Sequence, residues 1–194
     1  MISAEYRTVD KRMIEIDDRE LSARLGRVCS HTDPELFRVY ESVMKEAEPR
    51  YAVKRIPIAY PGDGAVELGF YKAESVALTK TLEGATEALV VACTLGAGVD
   101  RLIAKLSKIS RAEAFIYDAM ASALAEAVAE LMQKELSREL NLTQRFSPGY
   151  GDFSLECQSA LLDFLGAPHY LGVSVGDTNL MTPMKTITAI IGIK

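Results

Sequence analysis

The strongest hydrophobic pattern in this chain is helical and covers about residues 111–140. Neither proline nor glycine occurs between Gly98 and Pro148, and apolar side chains recur in pairs every four residues. The pairs are Phe115 and Ile116, Ala119 and Met120, Ala123 and Leu124, Ala127 and Val128, and Leu131 and Met132. At 1.5 Å per residue, roughly thirty residues form a rod of about 45 Å, which predicts a long central helix.

Three shorter helices are predicted around it. Asp33 can serve as an N-cap and Pro34 stands at the first helical position of one of them, which continues until Pro49. The second begins after Gly96 and Gly98, and the third ends before Gly166 and Pro168. The three helices are expected over about residues 34–47, 99–106 and 155–165.

Other segments have the patterns of strands. Residues 88–94 are apolar on both faces, as in a central strand, and residues 185–193 are rich in β-branched side chains. The predicted strands cover 51–60, 66–71, 88–94, 171–175 and 185–193, the first two being paired through a Pro-Gly-Asp-Gly turn. Because strands and helices do not alternate regularly, we expect an α+β fold with helices packed on a largely antiparallel sheet.

The chain of 194 residues is expected to form a single domain over 1–194. Residues 1–30 could instead form an arm or a peripheral segment. The three cysteines are far apart and neither histidine has a ligand at metal-binding spacing, so neither disulfides nor a metal is predicted. A formal charge of −5 argues against nucleic acid as a partner. The N-terminus has no leader pattern and no apolar run could span a bilayer, so a cytoplasmic protein without membrane contact is expected.

The most informative candidate chemistry lies in residues 145–152, with the sequence Arg-Phe-Ser-Pro-Gly-Tyr-Gly-Asp, which we call the clamp loop. Pro148 fixes one backbone angle and Gly149 lets a ligand approach the main chain. Arg145 offers a fork of donors that suits a carboxylate or a phosphate. From composition alone, a ligand clamp and a structural turn are equally good interpretations.

A polar ridge runs along the predicted long helix. Asp118, Ser122, Glu126 and Glu130 are spaced by four residues, so they share one face, with alanines beside them. A carboxylate there could receive an amine, but spacing alone favours a solvated helix face.

The turn at residues 94–98 could present backbone N–H groups to an anion. It matches neither of the common glycine-rich nucleotide motifs, so a structural turn is favoured and a small-molecule site there is the weaker alternative. The chain also lacks a Gly-x-Ser-x-Gly motif, which leaves a hydrolase mechanism without support.

The clamp loop, the segment Leu-Ala-Glu-Ala-Val-Ala-Glu at 124–130 and the segment Lys-Thr-Ile-Thr-Ala at 185–189 carry a family resemblance. Together they resemble the activation, or reactivation, domain of vitamin B12-dependent methionine synthase, and more closely its small stand-alone bacterial relatives. The resemblance covers most of the chain, from about residue 36 to the end. It implies a ligand, S-adenosylmethionine, whose methyl group re-methylates cobalamin after the oxidised cofactor has been reduced.

The resemblance also implies roles for individual residues. Arg145 is expected to meet the carboxylate of the methionine moiety, and Glu126 to face its amino group. Ser147, Gly149 and Tyr150 are expected to line the adenosyl moiety. One fixed cation beside one anion suits an amino acid zwitterion, which weakens the interpretation of Glu126 as a merely solvated residue.

The chain departs from the family pattern in places. It ends at Lys194, so the later tyrosine that contacts the ligand has no counterpart, and Gly151-Asp152 replaces the segment that normally follows the clamp tyrosine. Glu41 and Glu46 are the candidates for an N-terminal acidic contact of the family. The alternative function is therefore that of a non-catalytic scaffold or interaction partner of a corrinoid protein. In that case this chain would have kept the fold but lost ligand binding.

The resemblance implies partners as well. The chain has no Asp-x-His-x-x-Gly motif for cobalamin, so cobalamin is expected only through a partner, a cobalamin-binding methionine synthase or another corrinoid protein. A flavodoxin or a ferredoxin is the expected electron donor. The protein would thus be a component of a methyltransferase system and not a complete enzyme.

Overall fold

The computed structural model describes residues 4–194, which form seven α-helices, nine strands and a short 3-10 turn at Lys11–Met13. The helices are α1 (Asp18–Leu25), α2 (Pro34–Glu46), α3 (Val76–Thr81), α4 (Ala97–Ser107), α5 (Arg111–Leu136), α6 (Cys157–Leu165) and α7 (Ala167–Tyr170). The strands are β1 (Glu5–Thr8), β2 (Arg50–Pro57), β3 (Ala59–Gly62), β4 (Ala65–Glu67), β5 (Lys72–Glu74), β6 (Glu87–Thr94), β7 (Ser174–Val175), β8 (Met181–Thr182) and β9 (Thr186–Ile193).

The main sheet has four strands in the order β1-β2-β6-β9, and all its pairs are antiparallel. Strands β3, β4 and β5 form a separate small sheet, and β7 pairs with β8. Helices and antiparallel sheets in one domain confirm the predicted α+β class.

The main sheet separates two hydrophobic cores. Leu89 and Val91 of β6 belong to the core that also contains buried side chains of α1, α2, α4 and α5. Val90 and Ala92, which point to the opposite face, belong to the core with α3, α6 and α7. Because both faces of β6 are covered, its residues 88–93 are all apolar, as expected for a central strand.

Helix α5 is the predicted long helix and has 26 residues, which gives a length of about 39 Å. It begins where the Ser110 hydroxyl accepts a hydrogen bond from the N–H of Glu113. It ends at Leu136, earlier than predicted, because the N–H of Arg138 bonds the carbonyl three residues back, in a turn. Eleven of its side chains are buried, so it is enclosed on more than one face.

Three strand predictions were inaccurate. The run at 66–71 is in a strand only at its start, because β4 ends at Glu67 and the N–H of Leu68 then bonds the carbonyl of Tyr71 in a turn before β5. The run at 51–60 is divided, because β2 ends at Pro57 while β3 turns away into the small sheet with β4. The run at 171–175 is reduced to β7, because the N–H of Leu171 still bonds the carbonyl of Ala167 at the end of α7.

The N-terminal segment contributes a strand to the main sheet and a helix to the face of the sheet that α5 covers. Strand β1 lies at the edge of the main sheet, and α1 packs against α5 with Leu21 fully buried. Residues 1–3 lie outside the described part of the chain. Within residues 4–194, no helix combines the length and apolar character needed to cross a membrane.

Candidate functional site

The clamp loop is held to the rest of the fold near both ends. Phe146 exchanges backbone hydrogen bonds of 3.0 and 2.9 Å with Ile190 of β9. Asp152 accepts bonds from the Ser75 hydroxyl at 2.5 Å and from the N–H of Val76 at 2.8 Å, at the start of α3. The loop is therefore a fixed bridge between β9 and α3.

Between these anchors the loop turns sharply. Gly149 and Gly151 have φ values of 90° and 54°, in the left-handed region that favours glycine. The N–H of Tyr150 donates to the carbonyl of Ser147 at 3.1 Å, and that of Gly149 to the carbonyl of Phe153 at 2.7 Å. The stiff turn leaves the Tyr150 side chain 56% exposed, so a stiff turn and a ligand clamp are compatible.

Asp152 belongs to the Gly151-Asp152 segment, where the sequence differs from the family pattern, and it has a structural role. The hydrogen bond from the Ser75 hydroxyl, together with the N–H groups of Val76 and Ala77, holds the pKa of Asp152 below its usual value. An ionised carboxylate at the start of a helix satisfies N–H groups that have no intrahelical partner.

Arg145 and Glu126 meet beside the clamp loop. The Arg145 Nη2 atom lies 3.4 Å from Glu126 Oε2, which is long for a charge-assisted hydrogen bond, and the two side chains are 22% and 34% exposed. The Nη1 atom of Arg145 is buried and has no hydrogen-bond partner among residues 4–194. The guanidinium thus keeps donor capacity for a further acceptor.

The pair lies in a groove that crosses the α5 surface. One cleft of about 420 Å³ lies between α1, α5 and the clamp loop, and a second of about 320 Å³ lies between the clamp loop, β8 and β9. Glu126 and Tyr150 line both clefts, so the two clefts adjoin at these residues, and we call them together the groove. Each cleft alone is within the range of small-molecule sites.

The structure brings the predicted site residues together around this groove. Arg145 lines the first cleft and Ser147 the second, with Glu126 and Tyr150 shared between them. Gly149 is exposed in the same turn. Their contact with a ligand stays a prediction.

The structure places the two candidates for an N-terminal acidic contact away from the groove. Glu41 and Glu46 lie on α2 and do not line the groove, whereas Asp17 and Glu20 of α1 line its first cleft. Asp17 is the N-cap of α1 and Glu20 follows three residues later, a spacing typical of a helix start. That signal could have predicted α1, although not its position against α5.

The polar ridge faces cations as well as solvent. The Lys185 Nζ atom donates to Asp118 at 2.7 Å and to Ser122 at 2.8 Å, and the Lys185 side chain is only 10% exposed. Glu126 meets Arg145, one step further along the ridge. The interpretation of this ridge as a plain solvated face is therefore wrong.

The second cleft has a buried polar side chain that the sequence did not reveal. Gln158 of α6 is 2% exposed, and its amide nitrogen donates to the Thr188 hydroxyl at 2.8 Å. The partner lies 30 residues further along the chain, so no local pattern could identify the pair.

The turn at residues 94–98 has a structural explanation. A side chain at Gly98 would collide with the carbonyl oxygen of Glu46, and the N–H of Glu48 donates to the carbonyl of Leu95 at 2.7 Å. The end of α2 therefore packs on this turn, which favours the structural interpretation over an anion site. Residues 4–194 contain no cluster of His, Cys, Asp and Glu that could hold a metal ion.

The fold is thus α+β, with a four-stranded antiparallel sheet, a long helix on one face of it and the clamp loop beside that helix. Among solved structures, the chain is similar to the MetH reactivation domain bound to AdoHcy, with a TM-score of 0.73 and 15% sequence identity. The similarity covers 98% of this chain and 78% of that one. It confirms the fold that the sequence resemblance implied. No protein-family profile and no curated protein sequence matches the chain.

Proposed function

We propose that this protein binds S-adenosylmethionine in the groove between α5 and the clamp loop. The observation that carries the proposal is the buried Nη1 atom of Arg145, which has no partner among the described residues and lies on a guanidinium beside the Glu126 carboxylate. A buried donor without an acceptor is costly. Because Arg145 lines the first cleft, a ligand carboxylate there could reorient the guanidinium and accept from its unused donors. The ligand in the MetH reactivation domain, AdoHcy, supports the choice of an adenosyl amino acid.

The charges of the groove fit such a ligand. An amino acid zwitterion could present its carboxylate to Arg145 and its ammonium to Glu126, replacing their long contact by two shorter ones. Asp17, Glu20 and Glu130 add acidic groups to the first cleft, and Arg24, which pairs with Glu20 at 2.6 Å, adds one cation, so carboxylates remain in excess. An excess of carboxylates favours a sulfonium over an uncharged thioether.

In the proposed role, the protein is a reactivation module that supports reductive methylation of cobalamin held by a separate corrinoid or methionine synthase protein. S-adenosylmethionine supplies an electrophilic methyl group when it is bound. The residues of this chain bind and orient it, since Arg145 and Glu126 fix the amino acid end while the anchored clamp loop limits its motion.

Replacing Arg145 by alanine tests the binding proposal. The change removes a charge-assisted interaction worth about 1.5–3 kcal/mol, so S-adenosylmethionine should bind roughly ten- to a hundredfold more weakly in isothermal titration calorimetry. Arg38→Ala, at an exposed position of α2, is the matched control and should bind like wild type. Equal affinity of Arg145→Ala and wild type would contradict the proposal. Failure of wild type to bind would favour a non-catalytic scaffold of a corrinoid protein.

Glu126→Gln tests the other half of the site. Loss of the carboxylate removes the partner of the ligand ammonium, so affinity should fall about tenfold. Glu139→Gln, at an exposed position after α5, serves as its control. An unchanged dissociation constant for Glu126→Gln would remove this residue from the site.

A separate assay tests the reactivation role. A corrinoid protein with cob(II)alamin, a chemical reductant and S-adenosylmethionine should release S-adenosylhomocysteine faster when this protein is added. Arg145→Ala should remove most of the increase. If wild type binds the ligand yet causes no increase with any corrinoid protein tested, the binding proposal survives and the reactivation role does not.

A further inference from the structure

A second surface of this protein is distinguished by its charge. Between Asp100 and Glu113 every charged residue is basic, and we call these four residues the basic corner. They are Arg101, Lys105, Lys108 and Arg111. Without them, the formal net charge of −5 would be −9. A concentrated basic site thus interrupts an acidic molecule.

The basic corner lies on the outer side of the junction between α4 and α5. Arg101, Lys105 and Lys108 are separated by four and three residues, so they share one face of α4, while Val99 and Ile103 are buried against the core. Arg111 begins α5 next to them. All four are exposed, and none forms an ion pair within the described residues 4–194.

Two large apolar side chains are exposed at the same junction. Ile109 lies in the turn between the helices and is 74% exposed, and Phe115, one helical turn after Arg111, is 56% exposed. Apolar side chains accompanied by arginine and polar residues are typical of protein interfaces. Charge alone would not require these two residues at the surface.

We infer that the basic corner docks an acidic protein surface that has an apolar centre. Unpaired cations attract such a surface and orient it, and Ile109 and Phe115 give the contact apolar area. A localised partner fits better than a planar anionic membrane. A membrane would also meet the acidic remainder of the molecule, which it repels at distances below the Debye length of about 8–10 Å.

A partner on this surface would lie beside the groove. Asp100, in the first turn of α4, accepts a hydrogen bond of 2.7 Å from the N–H of Met184. Met184 is 60% exposed and lines the second cleft. The docking inference does not depend on which ligand the groove holds.

Two fluorescent peptides provide the test. Each has about twelve residues with flanking glutamates, and the centre is Phe-Leu in one and Ser-Ser in the other. At a salt concentration of about 0.05 M, wild type should bind the Phe-Leu peptide with a Kd of about 1 mM or below, and binding should weaken at about 0.5 M. Lys105→Glu combined with Lys108→Glu should weaken it about tenfold or more. Lys45→Glu combined with Lys80→Glu has the same net charge and should change it less than about twofold.

Further outcomes decide between interpretations. Ile109→Ser with Phe115→Ser should remove the preference for the Phe-Leu peptide over the Ser-Ser peptide, and circular dichroism should show an unchanged fold. Equal weakening by the two charge-reversed pairs, or absence of peptide binding by wild type, overturns the inference. Stronger binding to phosphatidylserine vesicles than to either peptide would assign the corner to membranes instead.

Discussion

At the scale of single residues, the site combines one pair that is poised for a ligand with one carboxylate that holds the loop. Arg145 and Glu126 remain 3.4 Å apart and leave a guanidinium nitrogen without a partner among residues 4–194. Asp152, by contrast, is saturated by Ser75 and by the N–H groups of α3. The motif therefore separates into an anchoring end and an end that we propose binds the ligand.

Asp152→Asn should loosen the anchoring end. Its folded-state pKa is lowered, chiefly by the Ser75 hydroxyl, so its stabilising effect is present above the unfolded value of about 3.9 and is lost as pH falls through the lower folded value. The variant should have a lower Tm than wild type near pH 7, and the difference should shrink below about pH 4. Thermal unfolding followed by circular dichroism measures this, and a pH-independent difference would refute the assigned role.

At the scale of elements, local patterns predicted individual helices better than their neighbours in space. The apolar pairs of α5 identified the helix, but the polar ridge seemed solvated because Lys185 lies 67 residues from Asp118. The α1 wall of the groove was missed for the same reason. Asp17 and Glu20 carry a local start signal, while their place opposite Arg145 depends on how α1 packs against α5.

Gly98→Ala tests the packing of α2 on the start of α4. The added methyl group would collide with the carbonyl oxygen of Glu46, so one of the two segments must move, at a cost of about 1–3 kcal/mol. Urea unfolding should show this loss. Affinity for S-adenosylmethionine should be unchanged, since the groove lies elsewhere.

A matched control exists for this substitution. At Gly176 a side chain would meet nothing within 4 Å, so Gly176→Ala should leave the free energy of unfolding nearly unchanged. If Gly98→Ala abolished ligand binding without destabilising the fold, the turn at 94–98 would have to be reconsidered as a ligand site.

At the scale of the whole molecule, the fold was more predictable than the site. The apolar character of β6 on both faces identified a central strand, and its two cores follow from that. The proximity of Arg145 and Glu126 required more, because it depends on Phe146 pairing with Ile190 and on the way α5 crosses the sheet. The proposed ligand came from the family resemblance, because residue spacing alone could not identify one.

The central claim is that Arg145 and Glu126 recognise the amino acid end of S-adenosylmethionine. The most direct test compares S-adenosylmethionine with 5′-methylthioadenosine, which lacks that end, in titrations of wild type and Arg145→Ala. Wild type should prefer S-adenosylmethionine by about tenfold or more, and Arg145→Ala should lose most of that preference while its affinity for methylthioadenosine stays nearly constant. A preference that persists unchanged in Arg145→Ala, or is absent in wild type, would contradict the account.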